Sequence, residues 1–192
     1  MTKLCYIDVE TTGLNANKHA IIQLAYIIEI NGKVKAKGSY QINPKTYNKS
    51  REVEPRALEV NGITMEQLAS YEDQAEAFIK FLRVLESHIS IEEKLTFVAY
   101  NSPFDIKFVQ AWFQDNGRQN DYGRYFTYKD LDVFALVKYL IHAGPLATMK
   151  SHKLSDLCEY FAITLTDTHD AISDIEATRE LHLKLMNFIK SE

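Results

Sequence analysis

The sequence predicts an α/β or mixed α+β domain. An apolar strand and a hairpin open the chain, and a further strand then alternates with helices, which is the order typical of this class. The 192 residues suit one domain, which we expect to span residues 1–192. A chain of this size buries roughly 70% of its unfolded surface, so its core needs no disulfide or structural metal.

Apolar runs and one turn signal predict the opening strands. Lys3–Val9 is expected to form the first strand, and the β-branched run Ala20–Ile30 a central second strand. The pair Asn31-Gly32 is a strong hairpin signal, so Lys33–Ile42 is expected to pair with the second strand.

The rest of the chain is predicted to be mainly helical. After a loop that contains Pro44 and Pro55, Gln74–His88 places its apolar residues on one helical face, and Leu95–Tyr100 follows as a short buried strand. The polar and aromatic residues 117–130 predict a loop. Four further helices are expected at Pro103–Asn116, Val133–Ile141, Leu154–Phe161 and Asp170–Ile189.

Composition and charge exclude several classes of protein. Hydrophobic residues make up 46% of the chain and charged residues 25%, as in ordinary globular domains. The two cysteines, Cys5 and Cys158, lie among apolar neighbours and are predicted to be free core thiols, which fits a reducing, cytoplasmic location. No signal peptide or membrane span is expected. The net charge of −4 argues against a protein that coats nucleic acid, but not against an enzyme that holds one strand end.

Asp8 and Glu10 end the first apolar run and are the first candidate site residues. Side chains alternate along a strand, so both carboxylates point to the same face. At a separation of about 4 Å they repel by up to ~4 kcal/mol at an effective dielectric near 20. A retained proton or a bound divalent cation relieves this repulsion. The alternative is an exposed strand end with no function.

Asp105 is the second candidate, in the first turn of the helix after Leu95–Tyr100. It shares a helical stripe with Phe108 and Trp112, which places a carboxylate beside an apolar cluster. Ser102 and Asp105 also have the spacing of a capping box, with a proline between them, so a purely structural role is the alternative.

His169 and Asp174 form the third candidate pair. Five residues on a helix correspond to about 140° of rotation, so the two converge only if His169 lies in the loop and Asp174 in the helix. Asp170 is then the expected N-cap, and a role limited to the helix dipole is the alternative. The other histidines are assigned to packing or to the surface: His19, His88, His142, His152 and His182.

Three motifs together resemble the DEDDh family of 3′–5′ exonucleases, the DnaQ-like branch of the ribonuclease H-like superfamily. They are "DVETTGL", "NSPFD" and "HDAISD", and the resemblance extends from about Lys3 to about Met186. It implies a ribonuclease H-like fold: a mixed central sheet, with an antiparallel opening hairpin plus parallel strands, flanked by helices. "TTGL" and "EVNGIT" resemble the proofreading exonuclease of bacterial DNA polymerase III more than a ribonuclease of the same family. Tyr100 departs from the histidine common before the second motif, at a position that is not a ligand in the family.

The resemblance also implies a two-metal mechanism with Mg²⁺ or Mn²⁺. Asp8 would bridge two ions, Glu10 and Asp174 would complete one site, and Asp105 would support the other through water. His169 would take the proton of the attacking water, and an ordinary pKa near 6.5 suits that role.

Substrate contacts are likewise implied by the resemblance. The backbone after the first motif would approach the terminal nucleotide, Leu14 would wedge against its base, and Asn101 and Phe104 would line its pocket. Core packing is the alternative for Leu14 and Phe104. The backbone residues concerned are Thr11, Thr12 and Gly13.

The sequence therefore predicts removal of nucleoside 5′-monophosphates from 3′ ends of DNA, preferably single-stranded or mispaired. Trimming of RNA or short oligoribonucleotides is the alternative, because the motifs are shared. A nucleic-acid-binding module without catalysis is a more remote alternative, because the four motif carboxylates and His169 are all present. The enzyme would act alone or with a DNA polymerase or another replication or repair protein.

Overall fold

One mixed sheet organises the protein. The computed structural model describes residues 2–48, 50–144, 146, 151–166 and 170–191, and within them five strands lie in the order β3-β2-β1-β4-β5. The strands are β1 Lys3–Thr11, β2 Ile21–Ile30, β3 Lys33–Gln41, β4 Thr96–Ala99 and β5 Leu131–Asp132. β1, β2 and β3 pair antiparallel, whereas β1–β4 and β4–β5 are parallel. The predicted mixed sheet is confirmed.

The predicted hairpin between β2 and β3 is also confirmed. Asn31 and Gly32 have φ values of 51° and 75°, the left-handed conformations that a tight two-residue hairpin requires. β1 is longer than predicted, since it continues to Thr11. Glu10 remains in the ladder opposite Gln23, and the register shifts only after that pair.

Helices cover both faces of the sheet. They are α1 Pro55–Asn61, α2 Met65–Ser70, α3 Gln74–His88, α4 Ser102–Asp115, α5 Tyr122–Tyr125, α6 Val133–Ala143, α7 Leu154–Tyr160 and α8 Ala171–Ser191. The predicted bounds of α3 are confirmed, and those of α4, α6, α7 and α8 differ by one or two residues. No helix in the described part of the chain is long and apolar enough to cross a membrane.

Two of the predicted loops were wrong in part. The proline-containing loop holds α1, which begins at Pro55, and α2, which begins with a capping box between Thr64 and Gln67. A proline in the first turn and a capping box are both signals for the start of a helix. Each of these helices, however, has fewer than eight residues and little apolar periodicity. Residues 117–130 likewise contain the single turn of α5.

Strand alternation divides the core into two layers. Cys5, Ile7 and Val9 face α3 and α4, where they meet an aromatic cluster that includes Trp112. Tyr6 points to the opposite face and packs with α6, α7 and α8. Cys5 and Cys158 are buried free thiols, as predicted.

Candidate active site

Asp8 and Glu10 project from the face of β1 that is covered by α8. They share this face with Tyr6, in the same alternation that buries Cys5, Ile7 and Val9 on the other side. Glu10 is only 9% exposed, so the alternative of a solvated strand end is wrong. β1 and β4 are parallel, and the acids lie near the carboxyl end of β1, the edge where α/β sheets commonly place their sites.

Asp174 in the first turn of α8 completes a cluster with these two acids. One carboxylate oxygen from each of Asp8, Glu10 and Asp174 lies within 4.8 Å of the other two, in the part of the chain that the structure describes. The first and third motifs, separated by more than 150 residues, therefore contribute acids to one cluster. Such a set of oxygen donors fits hard divalent cations such as Mg²⁺ or Mn²⁺.

The metal-free cluster is electrostatically unfavourable. Burial, followed by the Asp174 and Asp170 carboxylates, raises the pKa of Asp8 to about 8. Burial, followed by the charge of Asp8, raises the pKa of Glu10 to about 9. Near neutral pH these groups therefore retain protons unless a cation displaces them, because a cation turns mutual repulsion into attraction.

Asp105 adjoins the cluster but lies outside the group of three. Its Oδ1 accepts a hydrogen bond from the Val9 N–H at 3.1 Å, which ties the first turn of α4 to β1 between the two other acids. The side chain is 3% exposed, and burial, followed by the charge of Asp8, raises the pKa of this carboxyl.

The capping-box alternative for Asp105 is wrong. The N-cap of α4 is Asn101, in the left-handed conformation, and Ser102 is already helical, with its hydroxyl donating to Asp130. Asp132 instead provides a hydrogen-bond acceptor at the start of this helix, because its Oδ1 accepts from the backbone N–H of Asn101 at 2.9 Å. The same oxygen caps α6. An aspartate just before an apolar helix was the available signal for this missed residue.

The start of α8 is fixed by a residue that the motifs did not reveal. Gln23 on β2, opposite Glu10, donates from Nε2 to Asp170 Oδ1 at 2.7 Å and accepts from the Ala171 N–H at 3.4 Å. Asp170 Oδ2 accepts from the Ser173 N–H, so its predicted role as N-cap is confirmed. A buried glutamine inside the apolar run "IIQLAY" was the signal in the sequence.

His169 lies outside the described residues. The structure nevertheless places its chain neighbour Asp170 at the N-terminus of α8 and Asp174 one turn into that helix. The role of His169 as general base remains a prediction.

A cavity of about 440 Å³ opens beside the acidic cluster, and four of the predicted substrate-contact residues line it: Thr11, Gly13, Leu14 and Phe104. Leu14 is 82% exposed, so the core alternative for it is wrong. Phe104 is partly buried and both packs on the core and lines the cavity. Asn101 is exposed at the start of α4.

Thr12 and Gly13 also have structural roles. The Thr12 hydroxyl donates to the Glu52 carbonyl at 2.6 Å and accepts from the Ala20 N–H, so it is used inside the fold. A Cβ at Gly13 would lie 2.7 Å from the ring of His19, so this glycine allows the close packing of a buried histidine.

The far wall of the cavity comes from α1, which the sequence had suggested was a loop. Arg56, Val60 and Asn61 line it, and Asn61 Nδ2 donates to the Thr11 carbonyl at 3.2 Å. Val60 is 49% exposed. An exposed apolar side chain, a cation and an amide are therefore available to a ligand beside Glu10.

The mixed sheet, with acids at the carboxyl end of its first strand, is the arrangement expected of a ribonuclease H-like domain. Residues 5–182 match the RNase T family, which is described as an exonuclease family. The chain belongs to this family, and the predicted membership among the DnaQ-like exonucleases is confirmed.

Curated relatives are polymerase chains that are much longer. DNA polymerase III PolC-type of Bacillus cereus is 30% identical over 179 residues, which are 93% of this chain and 11% of the relative. The PolC-type polymerase of Thermotoga petrophila is 28% identical over 184 residues, or 96% of this chain and 12% of the relative. The chain thus spans about a tenth of these relatives.

Solved structures confirm the fold. The zinc-bound complex of Escherichia coli exonuclease I with single-stranded DNA superposes with a TM-score of 0.80 at 18% identity, covering 100% of this chain and 43% of that one. The complex of the same enzyme with a dT13 oligonucleotide gives 0.77 at 18% identity, with 97% and 41% covered. At this identity the likeness establishes the ribonuclease H-like fold alone.

We expect the metal-free protein to lose stability as the pH rises from about 4 to about 9. The folded-state pKa values of Asp8 and Glu10 lie above their ordinary values, so the folded state binds more protons and loses that advantage as the pH rises through about 8 to 9. Asp8→Asn removes one charge and should flatten the decline. Urea unfolding in chelator measures both proteins, and equal slopes with pH would contradict the electrostatic account.

We also expect an exchange of groups between positions 23 and 170 to be tolerated. Gln23→Glu places a second carboxylate against that of Asp170. Asp170→Asn places an amide N–H against one of the two donors that Asp170 now accepts from, Gln23 Nε2 or the Ser173 N–H. Each substitution should therefore lower the free energy of unfolding by about 1–3 kcal/mol. In the double variant the new amide at position 170 donates to the new carboxylate at position 23, and the net charge is restored. Urea unfolding of all four proteins tests this, and losses that simply add would contradict direct coupling.

Proposed function

We propose that residues 1–192 form one metal-dependent 3′–5′ exonuclease domain that removes nucleoside 5′-monophosphates from DNA ends. The observation that supports this most is the cluster of Asp8, Glu10 and Asp174 beside a cavity of about 440 Å³, in a chain of an exonuclease family. The preferred ends are single-stranded or mispaired, because a terminal nucleotide must leave its partner to enter that cavity.

Asp8, Glu10 and Asp174 would hold the divalent ions, with Asp105 supporting them. When bound, two Mg²⁺ or Mn²⁺ ions supply the positive charge that favours ionised water and a departing 3′ oxygen. Asp105 is held against the Val9 N–H, which fixes the direction of its carboxylate.

His169 is proposed to take the proton from the attacking water. An imidazole with an ordinary pKa near 6.5 accepts a proton at neutral pH and releases it to solvent after the bond is broken. In the sequence it directly precedes Asp170, the N-cap of α8.

The cavity is proposed to hold the terminal nucleoside. Leu14 and Val60 expose apolar surface to the base, and Phe104 closes the inner side. Arg56 provides a cation at the cavity wall that suits a phosphate oxygen.

DNA is the proposed substrate because the relatives are DNA polymerases and the similar solved structures contain single-stranded DNA or an oligonucleotide. A DNA polymerase is the proposed partner for the same reason. The two buried free thiols support a cytoplasmic location.

A 5′-labelled strand offered as single-stranded DNA, as paired duplex, as 3′-mispaired duplex and as RNA tests the proposal. With Mg²⁺ or Mn²⁺ we expect stepwise shortening from the 3′ end, fastest for single-stranded and mispaired DNA, and none in chelator. Asp8→Asn and Asp174→Asn should each lower kcat/KM by about 1,000-fold, or ~4 kcal/mol of barrier.

Glu76→Gln is the matched control, because Glu76 is an exposed acid on α3 and should leave the rate unchanged. Faster shortening of the RNA would favour an exoribonuclease. Intact ends on every strand with either metal would overturn the proposal.

A further inference from the structure

His19, which the sequence assigned to packing or to the surface, is a buried residue with two polar neighbours. Its side chain is 4% exposed. The ring Nδ1 accepts a hydrogen bond from the Asn15 N–H at 3.0 Å, and Nε2 lies 3.1 Å from Glu54 Oε1. A ring nitrogen that accepts has no proton, so the proton of the neutral imidazole is on Nε2, which faces the carboxylate. The ring therefore lies between two segments and presents a polar atom to each.

The first of these segments is the loop after β1. The Asn15 carbonyl accepts from the Lys18 N–H at 2.9 Å and from the His19 N–H at 2.8 Å, so the loop closes on the residue whose ring it contacts. At Gly13 the backbone comes so close that a Cβ would lie 2.7 Å from the imidazole. Leu14 lies between these two contacts, and its exposed side chain lines the cavity of about 440 Å³ beside the acidic cluster, the nucleoside cavity.

The second segment is the start of α1, on the far wall of the nucleoside cavity. Glu54 is the N-cap residue of this helix, but within the described structure its side chain makes no capping hydrogen bond. The carboxylate instead contacts His19, and Glu54 lines the cavity together with Arg56 and Val60 of α1. The Glu54 N–H donates to the Thr12 carbonyl at 2.8 Å, which holds the main chain beside the loop.

His19 thus joins two walls of the nucleoside cavity from behind. In the described part of the chain, the residues that line this cavity do not include His19, so it acts on a bound nucleoside through its neighbours. Arg51 supports the same loop from another side, with Nη1 donating to the Ala16 carbonyl at 3.1 Å. Loss of the imidazole nitrogens should therefore shift the two walls relative to each other rather than unfold the loop.

The acidic cluster is held by different contacts. Asp8 and Glu10 lie on β1, and Asp174 lies on α8, whose start is bound by Gln23. A substitution at position 19 should therefore alter the binding of a nucleoside and leave the metal-binding carboxylates in place.

We propose that His19 is a positioning residue that sets the separation between the loop after β1 and α1, and thereby the fit of the terminal nucleoside. The imidazole acts through Asn15 on one side and Glu54 on the other, and it does not touch the substrate. This inference rests on the proposed function, because the cavity whose width it sets is the one assigned there to the terminal nucleoside. Packing alone, with no use of the ring nitrogens, is the alternative.

Two small phosphodiesters separate the nucleoside cavity from the acidic cluster. The p-nitrophenyl ester of thymidine 5′-monophosphate places a nucleoside in the cavity, whereas bis(p-nitrophenyl) phosphate offers a phosphodiester with no nucleoside. His19→Phe keeps a ring of similar size and removes both nitrogens. It should lower the ratio of kcat/KM for the thymidine ester to that for the bis-ester by about tenfold, because the loss of both polar contacts weakens nucleoside binding. The loss should appear mainly as a higher KM for the thymidine ester.

Two further variants each retain the function of one nitrogen. His19→Asn places an amide oxygen near the position of Nδ1, where it accepts from the Asn15 N–H, and His19→Gln places an amide N–H near Nε2, toward Glu54. Each should give a ratio between those of the wild type and His19→Phe. A packing role predicts the opposite order, because phenylalanine fills the buried space better than either amide.

Two controls locate the effect. The affinity for Mn²⁺ measured by calorimetry should be the same in His19→Phe and in the wild type, because the metal-binding acids are unchanged. His142→Phe makes the same substitution at an exposed histidine in the last turn of α6, and it should leave the ratio at the wild-type value. A lower Mn²⁺ affinity in His19→Phe would place its effect at the acidic cluster and contradict the proposal.

Each outcome bears on one of the two proposals. A wild-type ratio in His19→Phe, or a ratio above those of the two amide variants, overturns the positioning role and leaves the exonuclease proposal standing. If His19→Phe does not fold, wild-type ratios in both amide variants overturn the role in the same way, and reduced ratios support it. A wild-type protein that cleaves DNA ends but not the thymidine ester also overturns it. A wild-type protein that cleaves no DNA end and neither ester overturns the exonuclease proposal, and the positioning role with it.

Discussion

The crowding of three carboxylates at the end of β1 is the constraint on which the rest of the site depends. Asp8, Glu10 and Asp174 bring ligand oxygens within 4.8 Å of one another in a partly buried position, and the pKa values of the first two rise to about 8 and about 9. Such an arrangement costs stability in a metal-free protein, so the fold must supply contacts that hold it together.

Those contacts join α8 to the sheet. The Tyr6 hydroxyl hydrogen-bonds His182 Nδ1 at 2.8 Å, and Arg179 Nε donates to the buried Glu29 at 2.8 Å. Gln23 holds the N-terminus of the same helix. Residues of β1 and β2 therefore bond to α8 at three positions along its length. Asp174 therefore meets the acids of β1 because the whole helix is held, and not through its own side chain alone.

The sequence predicted the site better than its surroundings. Alternation on β1 placed Asp8 and Glu10 on one face, and the family resemblance implied that Asp174 on α8 would meet them, as it does in the structure. The family resemblance supplied the roles, which no periodicity shows. α1 and its cavity wall were missed because a seven-residue helix has too few turns to display an apolar period, and because tertiary packing of Leu58 on Ile22 stabilises it.

Gln23 and Asp132 show why the remainder could not be predicted. Each acts on a segment far away in the chain, Gln23 on the start of α8 and Asp132 on the start of α4. A single polar residue in an apolar run indicates that something is bonded there, but only the pairing of strands and helices shows what. The chain topology decides which side chains meet, and a single sequence does not show the hydrogen-bond partner of an individual side chain.

Calorimetric titration of Mn²⁺ into the metal-free protein near pH 7, in buffers of different ionisation enthalpy, tests the central claim most directly. If cations stabilise the crowded carboxylates, binding must displace protons from Asp8 and Glu10, and we expect about one to two protons released for each protein molecule that binds metal. Absence of binding, or binding with no proton release, would contradict the account.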